Sequence, residues 1–353
     1  MKETCVNLFR GFCIGLANII PGVSGGTMAL ILGIYQRLLE AVGKINLEAI
    51  KSIVPPYPDG FSDALKNFLK KIDFYFLCPI GIGVVASVVL LAALIKPLLT
   101  EHHDPTYGFF WGLILASIIV PVRLLTKFKG TELTALIVAS ILTVYLCYGM
   151  SSTAIEKETR KLELKQQTTE SIAGEIRSPI HYLYVAMSGA IAISAMVLPG
   201  ISGSFMLLLF NVYFEMLDAI NSIRTAISNG EMPQAHDLIF MTVFCIGMGI
   251  GLLSFVRLMN FLMKRCYNPT MAFLIGLMIG SLYGIYPFRI SEQVGDKLVY
   301  GLPALVPTID KNFALTAVAA LAGAIVIIGF IMYEKRKGID VQKESAKTDS
   351  DII

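Results

Sequence analysis

Charged residues are scarce in this sequence: Asp, Glu, Lys and Arg make up 16% of 353 residues, where an average soluble chain carries roughly 25%. Hydrophobic residues account for 55%, which excludes an ordinary soluble domain and leaves a polytopic membrane protein. Material for metal chemistry is short as well. The six cysteines (Cys5, Cys13, Cys78, Cys147, Cys245 and Cys266) form no CxxC pair, and His102, His103, His181 and His236 sit at the edges of apolar runs. The cysteines read as reduced packing residues and the histidines as loop or interfacial residues, with no metal and no cofactor. A net charge of +3 is too small to mark a nucleic-acid partner.

What the chain does have is self-similarity. An offset of 178 residues lays GFCIGLANIIPGVSGGTMALILGIY, from Gly11, on GAIAISAMVLPGISGSFMLLLFNVY, from Gly189. A second match, at offset 164, lays DPTYGFFWGLILAS (Asp104 to Ser117) on NPTMAFLIGLMIGS (Asn268 to Ser281). The expected fold class is therefore an all-α polytopic membrane protein of two inverted-topology repeats, each a re-entrant helical hairpin plus about three transmembrane helices. The first repeat covers 1–150, with a hairpin over 6–42 and spans over 74–96, 106–122 and 132–150. A polar extracytoplasmic linker, 151–180, follows. The second repeat covers 181–335, with a hairpin over 181–220 and spans over 238–260, 270–287 and 312–332, before a cytoplasmic tail, 336–353. The Asp-Pro-Thr and Asn-Pro-Thr triplets read as helix starts, with Asp104 and Asn268 as N-caps.

Lysine and arginine decide the topology. If the first motif segment dips in and returns, Lys2, Arg10, Arg37, Lys44, Lys66, Lys70 and Lys71 share one side with Arg123, Lys264 and Arg265. Both termini are then cytoplasmic. Three spans per repeat is an odd number, so the two Pro-Gly-x-Ser-Gly breaks enter from opposite sides and meet at depth, as the broken helices of secondary transporters do.

Pro21 ends a half-helix, Gly22, Gly25 and Gly26 permit close backbone approach, and Ser24 suits the N-cap of a helix beginning near Thr27. Pro199, Gly200, Ser202, Gly203 and Ser204 repeat the pattern. Bare N–H groups, a hydroxyl or two and the positive end of a helix dipole suit an anion, phosphate above all. A Gly-rich break is also a common packing notch or hinge. Asn18 faces a polar cavity or pairs with backbone freed by Pro21, and Tyr35 and Tyr213 are interfacial anchors or packing residues. Arg10 and Arg257 either snorkel to the interface or guide an anionic head group.

On Arg10-Gly11, Asn18, PGVSGGT (Pro21 to Thr27), GIY (Gly33 to Tyr35), AMVLPGISGSFMLLL (Ala195 to Leu209) and AFLIGLMIGSL (Ala272 to Leu282), the chain resembles a family of bacterial polyprenyl-phosphate transporters. The resemblance implies a multi-pass protein of the cytoplasmic membrane that returns undecaprenyl phosphate from the outer to the inner leaflet and is not an enzyme. The implied phosphate site joins Arg10, Asn18, Ser24, Gly25, Gly26 and Thr27 to Ser202, Gly203 and Ser204. The coupling ion, H+ or Na+, is left open. Two departures stand out: Asn211 takes the place of a glycine, and YGIYPF (Tyr283 to Phe288) lacks the basic residue of relatives, for which Arg289 is the nearest candidate. An undecaprenyl-diphosphate phosphatase, which resembles this chain in its Pro-Gly-x-Ser motif, is the rival reading, but that class carries an Arg directly after the Ser, where Gly25 and Gly203 stand here. A small-anion or ion transporter is the third.

Overall fold

A computed structural model describes residues 2–19, 24–52, 55, 60–167, 178–295, 297–304, 307 and 309–337. The described chain is mostly helical. It begins with α1 (Lys2–Ile19), α2 (Gly25–Ile31), α3 (Tyr35–Gly43), α4 (Leu47–Lys51), α5 (Phe61–Lys71) and α6 (Phe74–Glu101). It continues with α7 (His103–Ser117), α8 (Ile119–Leu124), α9 (Gly130–Gln167), α10 (Pro179–Val197), α11 (Gly203–Leu209) and α12 (Tyr213–Asn229). Last come α13 (Ala235–Arg265), α14 (Tyr267–Gly284), strands β1 (Arg289–Val294) and β2 (Lys297–Pro303), and α15 (Lys311–Lys337).

Among the described residues, five helical stretches are long and apolar enough to cross a membrane: His103–Leu124, Gly130–Gly149, Pro179–Val197, Ala235–Arg265 and Lys311–Gly329. Four of them overlap the apolar runs read as spans over 106–122, 132–150, 238–260 and 312–332. α6 is 28 residues long, and its described apolar part is Phe74–Ser87. α14 stops at Gly284, short of the expected 287, and is the innermost long helix, with Leu274, Ile275, Leu277 and Met278 at most 1% exposed. α10 was expected as one arm of a hairpin; its 19 residues make a rod of about 28 Å.

The long helices pair as α1 with α6, α10 with α13, α7 with α15 and α9 with α14. Lipid supplies no hydrophobic drive between helices, so close backbone contact at small residues does the work. A Cβ on Gly189 would stand 2.9 Å from the Phe244 carbonyl oxygen of α13, and one on Gly11 would overlap the Ile80 backbone of α6. Gly112 seats in the same manner on Ala320 of α15, and Gly276 on Leu136 of α9. Gly11 and Gly189 correspond in the first sequence match, Gly112 and Gly276 in the second.

Several expectations change. Asp104 and Asn268 lie inside the first turns of α7 and α14, whose N-caps are His102 and Cys266. Pro therefore sits two positions later than expected, and the two polar side chains are released for tertiary contacts. Asp104 accepts from Asn312 Nδ2 at 2.8 Å, and Asn268 Oδ1 accepts from the Thr126 N–H and hydroxyl, both at 3.1 Å. α9 runs on to Gln167, through the first part of the helix-prone polar linker; 38 residues are about 57 Å, nearly twice a bilayer core.

The β1–β2 hairpin is an addition to the all-α expectation. Its signal was a polar, alternating stretch with Gly295 (φ 61°) at the turn. His103 is not a loop residue: it is 8% exposed, stacked on Tyr300 of β2 with ring centroids 3.5 Å apart. The cysteines are all free, but Cys5, Cys245 and Cys266 are exposed rather than packed.

Candidate functional site

The site is built on the two short helices that follow the chain breaks. Ser24 is extended (φ −110°, ψ 138°) and its Oγ accepts the Gly26 N–H at 3.1 Å, the expected N-cap, with α2 starting at Gly25. All seven residues of α2 are buried. Pro21 and Gly22 lie outside the described residues. Asn18, in the last turn of α1, accepts on Oδ1, at 2.8 Å, the Gly25 N–H, a first-turn donor of α2 that has no partner within its own helix.

α2 and α11 also end alike. Gly33 (φ 66°) and Asn211 (φ 55°) both adopt the left-handed conformation. The N–H groups of Gly33 and Ile34 reach the Leu30 and Ala29 carbonyls at 3.1 and 3.0 Å, and those of Asn211 and Val212 reach Leu208 and Leu207 at the same distances. Each is a Schellman ending. Asn211 therefore departs from glycine in identity and not in conformation, asparagine being among the few L residues that tolerate this region.

The two breaks touch. The Ser24 hydroxyl donates to the Leu198 carbonyl at 2.9 Å, with the Met196 carbonyl a second acceptor at 3.2 Å. Thr27 Oγ1 accepts the Gly200 N–H at 3.0 Å. A Cβ on Gly26 would overlap the Val197 carbonyl oxygen, and Gly200 (φ +85°) has room for none, since it would lie 2.6 Å from the Leu277 carbonyl oxygen of α14. Ser24 and Thr27 are 2% and 1% exposed, so this contact is dry. The donors expected to stand bare are taken up by protein acceptors.

Not every expected residue joins them. Pro199 is buried beside Gly200, and Gly203 packs on the Ala192 carbonyl. Ser202 is the N-cap residue of α11, although its side chain makes no capping bond, and Ser204 lies in the first turn of that helix. Arg10 is eight residues from Asn18 on α1, about 12 Å along the axis, and its Nη1 donates to Asn7 Oδ1 at 3.1 Å. Arg257 is exposed on α13. Tyr213 is half-buried.

Arg289 is the residue whose role the sequence least suggested. Its Nη1 donates to Ser151 Oγ (2.7 Å) and the Gly301 carbonyl (2.8 Å), its Nη2 to the Tyr283 (2.8 Å) and Gly284 (2.6 Å) carbonyls, and its Nε to the Tyr286 carbonyl (3.1 Å). A guanidinium has five N–H groups, and these five contacts use them up. It caps the orphan carbonyls at the end of α14, where the helix dipole favours a cation. Burial pulls its pKa down, but arginine stays charged.

Tyr35, at the start of α3, is 4% exposed and its hydroxyl has no hydrogen-bond partner among the described residues. A buried hydroxyl without a partner costs about 1–3 kcal/mol. Tyr35→Phe should therefore raise the thermal unfolding temperature in detergent, by an amount worth about 1 kcal/mol. A clear fall would show that the hydroxyl is bonded in solution.

Residues 14–298 match the model of a family described as undecaprenyl phosphate translocase-like. The chain is 35% identical to the polyprenyl-phosphate transporter of Vibrio cholerae serotype O1 over 284 residues, which is 79% of this chain and 77% of that one. It is 30% identical to the polyprenyl-phosphate transporter of Staphylococcus aureus over 288 residues, 80% of this chain and 86% of that one. No solved structure matches it. Both chain breaks, α14 and Arg289 fall inside the matched region, and Arg10 falls outside it. By extent and by motif, this multi-pass membrane protein belongs to the undecaprenyl phosphate translocase-like family.

Proposed function

We propose that the protein carries polyprenyl phosphate from the outer to the inner leaflet of the bacterial cytoplasmic membrane, making and breaking no covalent bond. The observation that carries this reading is the direct contact between the two breaks, through Ser24 on Leu198 and Thr27 on Gly200. In this reading the chain is two inverted repeats, 1–150 and 181–335, with re-entrant hairpins over 6–42 and 181–220 and both termini cytoplasmic. Such repeats bring broken helices together near the bilayer midplane, where the substrate binds.

A polyprenyl tail is at home in lipid, so only the phosphate needs a path, and an anion at mid-bilayer is costly without partners. Parting the breaks frees the Ser24 and Thr27 hydroxyls and the Gly200 N–H. Each is held now by a neutral hydrogen bond worth about 1 kcal/mol net. A phosphate offers charge-assisted bonds roughly twice as strong, so it wins these groups from their present acceptors. Alternate opening toward each leaflet then moves the head group, with Asn18, Gly25, Gly26, Ser202, Gly203 and Ser204 around it and Arg10 drawing it in from the cytoplasmic end.

The test is movement of a labelled polyprenyl phosphate between leaflets of vesicles holding the purified protein, with phosphate release from the diphosphate followed in parallel. Transport without release is expected; release would make the protein a phosphatase. Ser24→Ala combined with Ser202→Ala should slow transport several-fold while leaving the protein inserted, and an unchanged rate would remove those hydroxyls from the site.

A further inference from the structure

We infer that α5 lies in the membrane interface and holds anionic lipid head groups with Lys66, Lys70 and Lys71. At 100° per residue, Phe61, Ala64, Leu65, Phe68 and Leu69 share an arc of about 140°, and Ser62, Asp63, Lys66, Asn67 and Lys70 take the opposite side. No residue of α5 is buried: Phe61 is 56% and Leu65 36% exposed, with Phe68 and Leu69 half-buried. A helix this amphipathic has an apolar face that the described residues leave partly exposed.

Two observations make a bilayer the occupant rather than a protein. Ile72 and Asp73 alone separate α5 from α6, and Asp73 turns the chain in the left-handed conformation (φ 52°). Phe74 and Tyr75, which open α6, are 37% and 75% exposed, so the uncovered apolar side chains continue from the amphipathic helix into an apolar one. That continuity places α5 where a chain enters hydrocarbon, with aromatic side chains at the boundary. Charge agrees: the helix carries three lysines and one acidic residue, Asp63. Lys66 pairs with Asp63 at 3.1 Å and Lys71 approaches Glu48 at 4.0 Å. Both pairs are exposed and so too weak to withhold the ammonium groups from lipid phosphates.

The corner is also tied to the rest of the molecule. Arg37 of α3 bonds Asp73 at 3.3 Å and Glu3 of α1 at 3.1 Å, and its guanidinium lies 4.1 Å from the Phe76 ring centre. These contacts join the turn after α5 to α1, α3 and α6, although the two ion pairs are exposed and weak.

The experiment places a tryptophan on the apolar face, Leu65→Trp, in the full-length protein reconstituted into phosphatidylcholine bilayers with and without phosphatidylglycerol. The parent emission, from Trp111, is subtracted. Lipids labelled with a quencher just below the head group should quench the new emission more than lipids labelled near the chain end. A quencher on phosphatidylglycerol should act several-fold more strongly than the same quencher on phosphatidylcholine. Lys66→Gln, Lys70→Gln and Lys71→Gln together should abolish that head-group preference and leave the depth unchanged. Phe61→Trp, one turn earlier on the same face, repeats the measurement if Leu65→Trp does not fold. Absence of quenching, stronger quenching from the deep label, or a preference that survives the triple substitution would each overturn the inference.

Discussion

Gly26→Ala is expected to destabilise the protein by about 1–3 kcal/mol and to slow transport by tenfold or more. Two effects oppose one another. Alanine is favoured over glycine inside a helix by roughly 0.5–1 kcal/mol. Against this, the new methyl would overlap the Val197 carbonyl oxygen, which is backbone at the end of α10 and has no rotamer to escape into. The clash wins, and its relief requires the two breaks to move apart, lengthening the Ser24–Leu198 and Thr27–Gly200 bonds. Two comparisons isolate the cause. Gly25→Ala meets only the end of the Asn18 side chain, at 2.7 to 3.0 Å, and should be milder. Gly249→Ala, on α13 with nothing within 4 Å, should be neutral or stabilising. Thermal unfolding and leaflet transport of all three check the order; a Gly26→Ala protein equal to the parent in both would remove this contact as a requirement.

Arg289→Ala should be among the most destabilising substitutions, by about 2–3 kcal/mol, because it removes one shared charged donor from part-buried acceptors on α14 and the hairpin at once. Four carbonyls, those of Tyr283, Gly284, Tyr286 and Gly301, and the Ser151 hydroxyl lose their donor together. Arg289→Lys should fall between, since an ammonium has three donors and no planar fork. The two roles open to a part-buried arginine separate cleanly in this experiment. A structural clamp predicts a large fall in unfolding temperature with transport lost in proportion. A phosphate ligand predicts transport lost at nearly parental stability, and that result would refute the clamp.

Much of the architecture was legible because membrane helices announce themselves by local composition. The long apolar helices that overlap 106–122, 132–150, 238–260 and 312–332 needed only apolar runs of sufficient length, and the capping role of Ser24 needed only its neighbours. Asn211 looked like a defect in the pattern and proved to be a conservative change, because the backbone selects for a positive φ and asparagine supplies it. What was not legible depends on partners distant in sequence. Nothing local tells Ser24 that Leu198 will accept its proton, or Arg289 that Ser151 and Gly301 will close its cage. Asp104 and Asn268 misled for the related reason that a capping residue and a tertiary ligand look the same in one dimension.

The pairing of α7 with α15 and of α9 with α14 has a consequence for how the chain is made. In these two pairs a front helix is matched to a back one, so a chain leaving the ribosome inserts α7 and α9 long before their partners exist. Their glycine seats, Gly112 awaiting Ala320 and Leu136 awaiting Gly276, face lipid in the interim. Neither half can complete its packing alone, and a chain cut short before α15 would be left with an unfilled seam on α7. Quality control in the membrane thus has a ready criterion for an unfinished molecule: completion of the last described helix closes the first half as well as the second.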